Sequence, residues 1–533
     1  MNKSIYEIQN LIATNQLDQA LQNCQREVKK QPHDLVFNKL LSYIWGLKEN
    51  YTKAIETIKN ILPQHPHDFD LINNLGSYYI KAEEFLLAQE YIDQAKSINP
   101  DSPSPYHNAA EVNIVLRKFD FAKKEIEHAL YLYEKNNVDF KSYIPTLLLR
   151  INIYIADKDQ EGAIKFILKY LKIEFHSELF LQLVQIDKNS VSADMIVQCE
   201  KLLQQKMFKS SISKFQHLVP LYFALALYHE KNDKKKSEEY YVKANQEIFS
   251  IQRLNIFEYQ KEQNKIMDTF KLIENLDIED QHLGKFNYFI VGLPRSGTTL
   301  MESLITANRE VFPGGELNIF NKFIPRLIAD GHENLLTKLQ SMGEEYVRMT
   351  NDMKNDFKST VDKMPMNFSY VGYIQKCLPA SKIIILVRQP WDVAISLFKQ
   401  RYVTNIAYSS SFFNIGVYIA NFEAMVMYWG QFPSFQSNIL RVQYEDLVHD
   451  LDTQRENLYR FLEIEGRYDP AIREKFFART ASMNQVQKAV HQTSVKKSDF
   501  SEHFGEFDDA YRSQKEYWER KGIDFYDKFL GIY

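Results

Sequence analysis

Pro32, Pro66 and Pro100 stand 34 residues apart, and Ala20, Ala54, Ala88 and Ala122 recur at the same interval. A period this long is neither one helix nor one strand. It is a supersecondary unit whose apolar face is completed only by its neighbours, so the chain must stack copies side by side. Phe69 to Ser102 reads as two helices, with Leu75, Gly76 and Tyr79 on the first, Ala88 and Ala95 on the second, and Asn99-Pro100-Asp101 ending the pair. Small residues at Gly76, Ala88 and Ala95 let the helices approach closely, and Tyr79 fills the space beside them. Ser42 and Trp45 hold the equivalent places one repeat earlier; Ala110, Ala122 and Ala129 hold them one repeat later.

Beyond residue 135 the period loosens. Ala163 lies seven residues out of phase with Ala122, which predicts a longer turn near Asn136-Asn137-Val138-Asp139. Gln182 to Leu218 is helical in pattern but weakly repetitive, and Ser237 with Ala244 reads as a last pair before a helix through Ile251 to Leu276. The array resembles the tetratricopeptide family, and residues 1–280 are expected to form an all-α solenoid of that kind. Such an array offers a concave groove, but nothing in the sequence identifies what it holds.

From Lys285 the texture changes. Strands are expected at Phe286–Val291, Thr360–Lys363, Lys382–Val387 and Ile439–Tyr444, and helices at Thr298–Thr306, Leu317–Ile328, Phe368–Cys377, Pro390–Tyr402 and Thr453–Leu462. Alternation of this kind implies a P-loop-like α/β domain over residues 281–533, its parallel sheet covered on both faces. Ligands then gather at the carboxyl ends of the strands. A chain of 533 residues is also too long for a single core.

The first expected strand runs into Gly292-Leu293-Pro294-Arg295-Ser296-Gly297-Thr298-Thr299-Leu300. Gly292 and Gly297 are separated by four residues, as in a P-loop, but Thr298 stands where the phosphate-binding lysine should be. Glycines let backbone N–H groups turn inward and the following helix adds its positive end, so the loop suits an anion. Without the lysine, nucleoside-triphosphate hydrolysis lacks its main charge-neutralising group; Arg295 instead puts a cation inside the loop. Pro294-Arg295-Ser296-Gly297-Thr298-Thr299 resembles the 5′-phosphosulfate loop of sulfotransferases, whose sulfuryl donor is 3′-phosphoadenosine 5′-phosphosulfate (PAPS). The resemblance implies that Arg295, Ser296, Gly297, Thr298, Thr299 and Leu300 bind the donor.

A second anion site is read from Ile383 to Ser396. Arg388 leaves the carboxyl end of an apolar strand, and Ser396 sits two helical turns further on, so both are able to face one phosphate. Alternatively Arg388 pairs with Asp392 and Ser396 is a packed small residue. In sulfotransferases an arginine and a serine at this spacing bind the donor's 3′-phosphate. Pro313-Gly314-Gly315-Glu316-Leu317-Asn318 is similar to the Gly-Glu turn of protein-tyrosine sulfotransferases and related bacterial enzymes, and Val361-Asp362-Lys363-Met364-Pro365 to their lysine-bearing strand end. Val442 to Leu447 is similar to the strand that brings a tyrosine, here Tyr444, toward the nucleotide. Ser482 to Val486 and Ser494 to Lys497 resemble the segment that closes over the donor, which implies that Lys497 touches a donor phosphate.

Sulfuryl transfer to a hydroxyl needs a base for the acceptor proton, cations where charge develops, and in-line geometry. The resemblance implies Glu316 as the base; Arg295 and Lys363 would then stabilise the bridging and sulfuryl oxygens, and Ser482 would donate a hydrogen bond. Each has a structural alternative: Glu316 at the amino end of the next helix, Lys363 as a solvated strand end, Ser482 as a helix cap. Two departures stand out. Gln400 lies where the tyrosylprotein enzymes carry a further arginine, and Ser498 where a tryptophan is common.

The implied co-substrate is PAPS and the product PAP, with no metal, since no His/Cys/carboxylate cluster has ligand spacing. Net charge is -4, giving no global pull toward nucleic acid. Cys24, Cys199 and Cys377 are too scattered for a disulfide framework, and no signal core or membrane-length apolar run is visible, so a cytoplasmic protein with no membrane partner is expected. The expected partner is a hydroxyl-bearing acceptor, a protein or peptide in the solenoid groove, a carbohydrate or a small metabolite. A P-loop kinase and a solenoid adaptor with an inactive nucleotide domain are the competing readings.

Overall fold

The computed structural model describes residues 3–14, 16–116, 118–204, 214–251, 253–331, 333–354, 356–402, 406–474 and 499–525. Their contacts divide into two units, one up to Gln198 and one from Cys199 onward.

The first unit is a run of antiparallel helix pairs, including Leu35–Leu47 with Tyr51–Ile61, Phe69–Lys81 with Phe85–Ile98, and Ser104–Val115 with Phe119–Lys135. Asp34 and Asp68, one period apart, each accept a hydrogen bond from the amide three residues on and so start the first helix of a repeat. Ala54, Ala88, Ala95, Ala122 and Ala129 are fully buried where the two helices of a pair meet. Neighbouring repeats are tied by the Tyr78 hydroxyl donating to the carbonyl of Ser42 (3.2 Å) and Asn108 Nδ2 donating to Asn73 Oδ1 (3.2 Å). The expected longer turn is present: Asn137 takes a left-handed φ of 47°, and a 3-10 turn over Phe140–Tyr143 precedes helix Ile144–Ala156.

The second unit is built on a five-stranded parallel sheet in the order β2-β3-β1-β4-β5, with β1 Asn287–Gly292, β2 Val311–Gly315, β3 Ser359–Asp362, β4 Lys382–Val387 and β5 Ile439–Gln443. One face packs Ile290, Val361, Ile384 and Leu386 on Leu300, Met301 and Leu304 of helix Thr298–Ile305. The other sets Phe289 against Phe320 and Tyr346. β2, read from the sequence only as a glycine turn, is the added edge strand. Helix Pro390–Phe398 is also shorter than expected, ending four residues before Tyr402.

The contacts part near residue 198, and the helices Val219–His229, Lys234–Ile251 and Ile256–Phe270 belong to the second unit. The fully buried Phe270 is ringed by Tyr373, Trp429, Phe432 and Phe435. The Tyr373 hydroxyl donates to the carbonyl of Ile266 (2.8 Å), and Asn245 Nδ2 to that of Phe398 (2.8 Å). A helical period shows that a helix has an apolar face, not which body that face covers. Among the described residues no helix is long and apolar enough to cross a membrane.

Candidate active site

Each of the five strands hands one polar or charged residue to the same edge of the sheet. Glu316 follows β2, Lys363 follows β3, Arg295 lies three residues past β1, Arg388 follows β4 and Tyr444 follows β5. The strand order sets them in the row Glu316, Lys363, Arg295, Arg388, Tyr444. With about 4.8 Å between neighbouring strands, the row is on the order of 20 Å long.

The loop after β1 is held open for an anion by its backbone. Gly297 has φ 101°, and a Cβ there would lie 2.4 Å from the Tyr444 ring, so only glycine fits between loop and ring. Helix Thr298–Ile305 begins at that point, so the amides of its first turn, from Thr298 to Leu300, face the loop as at any helix N-terminus. Ser296 instead shapes the loop, its hydroxyl donating to the carbonyl of Leu293 at 2.7 Å. Arg295 is in the left-handed region at φ 72°.

Two guanidinium groups converge on this loop. Arg295 Nε donates to Ser396 Oγ at 3.0 Å, and Arg388 Nη1 donates to the backbone carbonyl of Arg295 at 2.9 Å. Arg388 lies over the Tyr444 ring, 4.5 Å from its centroid. Burial, aided by the charge of Arg388 and opposed by Tyr402, holds the Arg295 guanidinium below the ordinary arginine range. A half-buried and a buried cation sharing one loop favour an anionic guest, whose charge offsets theirs. Arg295, Ser296, Gly297, Thr298, Thr299, Leu300, Arg388, Ser396 and Tyr444 are thus brought together, with Ser396 joined to Arg295 as well as sharing the helix that follows Arg388.

At the other end of the row Lys363 Nζ forms an ion pair with Glu316 Oε1. Lys363 is 1% exposed, so it is not a solvated strand end. Glu316 stands before helix Ile319–Ala329, whose N-cap is Asn318, and engages Lys363 rather than the helix terminus. The turn that presents it needs Gly314, where a Cβ would meet the carbonyl oxygen of Val361 at 2.8 Å, and Gly315, at φ 74°.

Sequence reasoning passed over several groups here. Asp362 is buried beneath the pair, and burial pushes its carboxyl up to about 8. The Tyr402 hydroxyl and Asn367 Nδ2 are buried without a hydrogen-bond partner among the described residues. Asn367 Oδ1 accepts from Asn321 Nδ2 at 2.9 Å, and Tyr402 acts electrostatically on Arg295. Asp362 closes a short strand of polar and β-branched residues, Ser359-Thr360-Val361, and like the others carries no sequence signal beyond its type. Near Gln400, Lys399 is committed to Asp499 at 2.9 Å. Ser482 and Lys497 lie outside the described residues.

Residues 288–470 match the sulfotransferase family. The sulfotransferase match thus spans all five strands of the sheet. Across 548 aligned residues the chain is 23% identical to an uncharacterized protein of Aquifex aeolicus, covering 91% of this chain and 70% of that protein. It is 24% identical over 225 residues to protein-tyrosine sulfotransferase A of Caenorhabditis elegans, covering 38% of this chain and 57% of that protein. Similar solved structures include the sulfotransferase domain of the Synechococcus PCC 7002 olefin synthase, at 16% identity and TM-score 0.31 over 45% of this chain and 98% of that one. A tetratricopeptide repeat protein of Parabacteroides merdae is similar at 13% identity and TM-score 0.33, over 45% of this chain and 91% of that one.

Proposed function

We propose that this protein is a PAPS-dependent sulfotransferase that sulfates a hydroxyl acceptor, with Glu316 as general base. The observation that carries the reading is the ordered row at the carboxyl edge of the sheet, anion-binding groups at one end and a carboxylate–ammonium pair at the other. PAPS would supply the sulfuryl group and leave as PAP. The guanidinium groups and first-turn amides offer a donor set that suits phosphate and sulfuryl oxygens.

In this reading Arg388 and Ser396 hold the 3′-phosphate, the amides of Thr298, Thr299 and Leu300 hold the 5′-phosphate, and Tyr444 flanks the nucleotide. Arg295 and Lys363 face the oxygens on which charge builds, and Glu316 takes the acceptor's proton. Lys363 holds Glu316 by charge before the acceptor arrives, so the base is already oriented. Ser482 and Lys497 are assigned to the closing segment on resemblance alone. The acceptor class is a protein or peptide hydroxyl, and the helical repeats of the first unit are the part of the chain proposed to present it.

The test is incubation of the full chain with ³⁵S-labelled PAPS and a cell lysate, wild type beside Glu316→Gln. Label on macromolecules with wild type alone supports the reading. Equal labelling by both removes Glu316 from the base role, and label confined to small molecules removes the protein acceptor.

A further inference from the structure

Asp362 has no part in the chemistry above, yet its carboxyl joins the peptide that follows Glu316 to a buried tyrosine. It ends β3 with 1% of its surface exposed. Burying a carboxyl is unfavourable unless its oxygens are bonded, and here they are. Oδ1 accepts from the amide of Leu317 at 3.3 Å, and Oδ2 accepts from the Tyr346 hydroxyl at 3.0 Å.

Tyr346 is a fixed anchor. It lies on helix Leu335–Lys354, is 1% exposed, and packs its ring on Phe289 and Phe320. The Leu317 amide belongs to the peptide that follows Glu316. On the preceding side, the carbonyl of Gly315 accepts from the amide of Lys363 at 2.7 Å. Glu316 is therefore bracketed by bonds to two consecutive residues at the end of β3, one through a side chain and one through backbone. A Cβ on Gly315 would find no heavy atom within 4 Å, so no side-chain packing braces the turn at that point.

We propose that Asp362 is the positioning residue for the Glu316–Lys363 pair: it fastens the turn after β2 to Tyr346 so that the carboxylate meets the ammonium. Only the catalytic consequence rests on Glu316 being the base. The groups acting on Asp362 fit this role. Burial favours its neutral form, the Tyr346 hydroxyl, the Leu317 amide and Lys363 favour the charged form, and Glu302 opposes them. A largely neutral Asp362 does not compete with Glu316 for the ammonium.

The experiment measures acetylation of Lys363 by acetic anhydride, read by mass spectrometry on the full chain, with PAP affinity and melting temperature recorded alongside. Glu316→Gln breaks the pair directly and sets the rate for an unpaired lysine. Asp362→Ala should approach that rate, roughly tenfold above wild type, with PAP affinity unchanged. Asp362→Asn keeps an acceptor for Leu317 and the same shape, and should restore protection. A purely structural aspartate would lower the melting temperature and leave Lys363 protected. If Asp362→Ala does not fold, Tyr346→Phe decides, since it removes one anchor and keeps the carboxyl. Wild-type protection of Lys363 in whichever of these folds, with exposure in Glu316→Gln, overturns the proposal. Normal turnover in Glu316→Gln would remove the base reading and leave this positioning result standing.

Discussion

Asp362→Asn should stabilise the protein increasingly as the pH rises, and the slope follows from the site. Burial lifts this carboxyl from an ordinary value of 3.8 to about 8 in the fold. Between those values the folded chain holds a proton that the unfolded chain has released, so wild-type stability falls as pH climbs by about 1.4 kcal/mol per unit. Asparagine carries no such proton. The variant's advantage should therefore be absent near pH 4, grow through the neutral range by roughly 2.7 kcal/mol from pH 5.5 to 7.5, and level off above about 8. The assay is urea unfolding of both proteins at closely spaced pH, followed by tryptophan fluorescence, which reports the buried Trp429 and Trp518 of this unit. Parallel stability curves over that window would refute the reasoning. Such curves would mean that Asp362 is already ionised in the fold across that window.

Phe270→Ala, which empties a fully buried site touched by four aromatic rings, should destabilise the second unit by about 3–5 kcal/mol. A melting temperature equal to wild type would place the helix Ile256–Phe270 outside that unit. Arg388→Ala should weaken PAP binding by about 1.5–3 kcal/mol while leaving adenosine 5′-phosphosulfate, which lacks the 3′-phosphate, unaffected; equal losses for both would sink the 3′-phosphate assignment. Gly297→Ala puts a methyl 2.4 Å from Tyr444 at a left-handed φ and should abolish PAP binding while costing about 1–3 kcal/mol of stability. Retained affinity would show that the loop and the ring do not jointly enclose the ligand.

The parts of this molecule that were legible in the sequence are those written in local spacing. The 34-residue alanine and proline register and the glycine-bracketed loop are set by local period and turn, and Arg388 and Ser396 stand eight positions apart across one strand end and the helix after it. The row across the sheet was not legible, because it depends on the strand order β2-β3-β1-β4-β5, which no local pattern encodes. For the same reason the ion pair of Glu316 and Lys363, residues 47 positions apart, and the clamp of Tyr346 on Asp362 emerge only in the fold. Helices after residue 214 keep a helical period, but that their side chains meet Trp429 and Phe398 is likewise a matter of the fold.

The most direct test of the central claim is isothermal titration of the full chain with PAP, and separately with ATP and magnesium. The account predicts saturable binding of PAP, lost in Gly297→Ala and weakened in Arg388→Ala, and no comparable binding of ATP. Binding of ATP with magnesium and not of PAP would make the loop a nucleotide kinase site. No binding of either would leave a solenoid carrying an inactive nucleotide domain, and both outcomes would contradict sulfuryl transfer from PAPS.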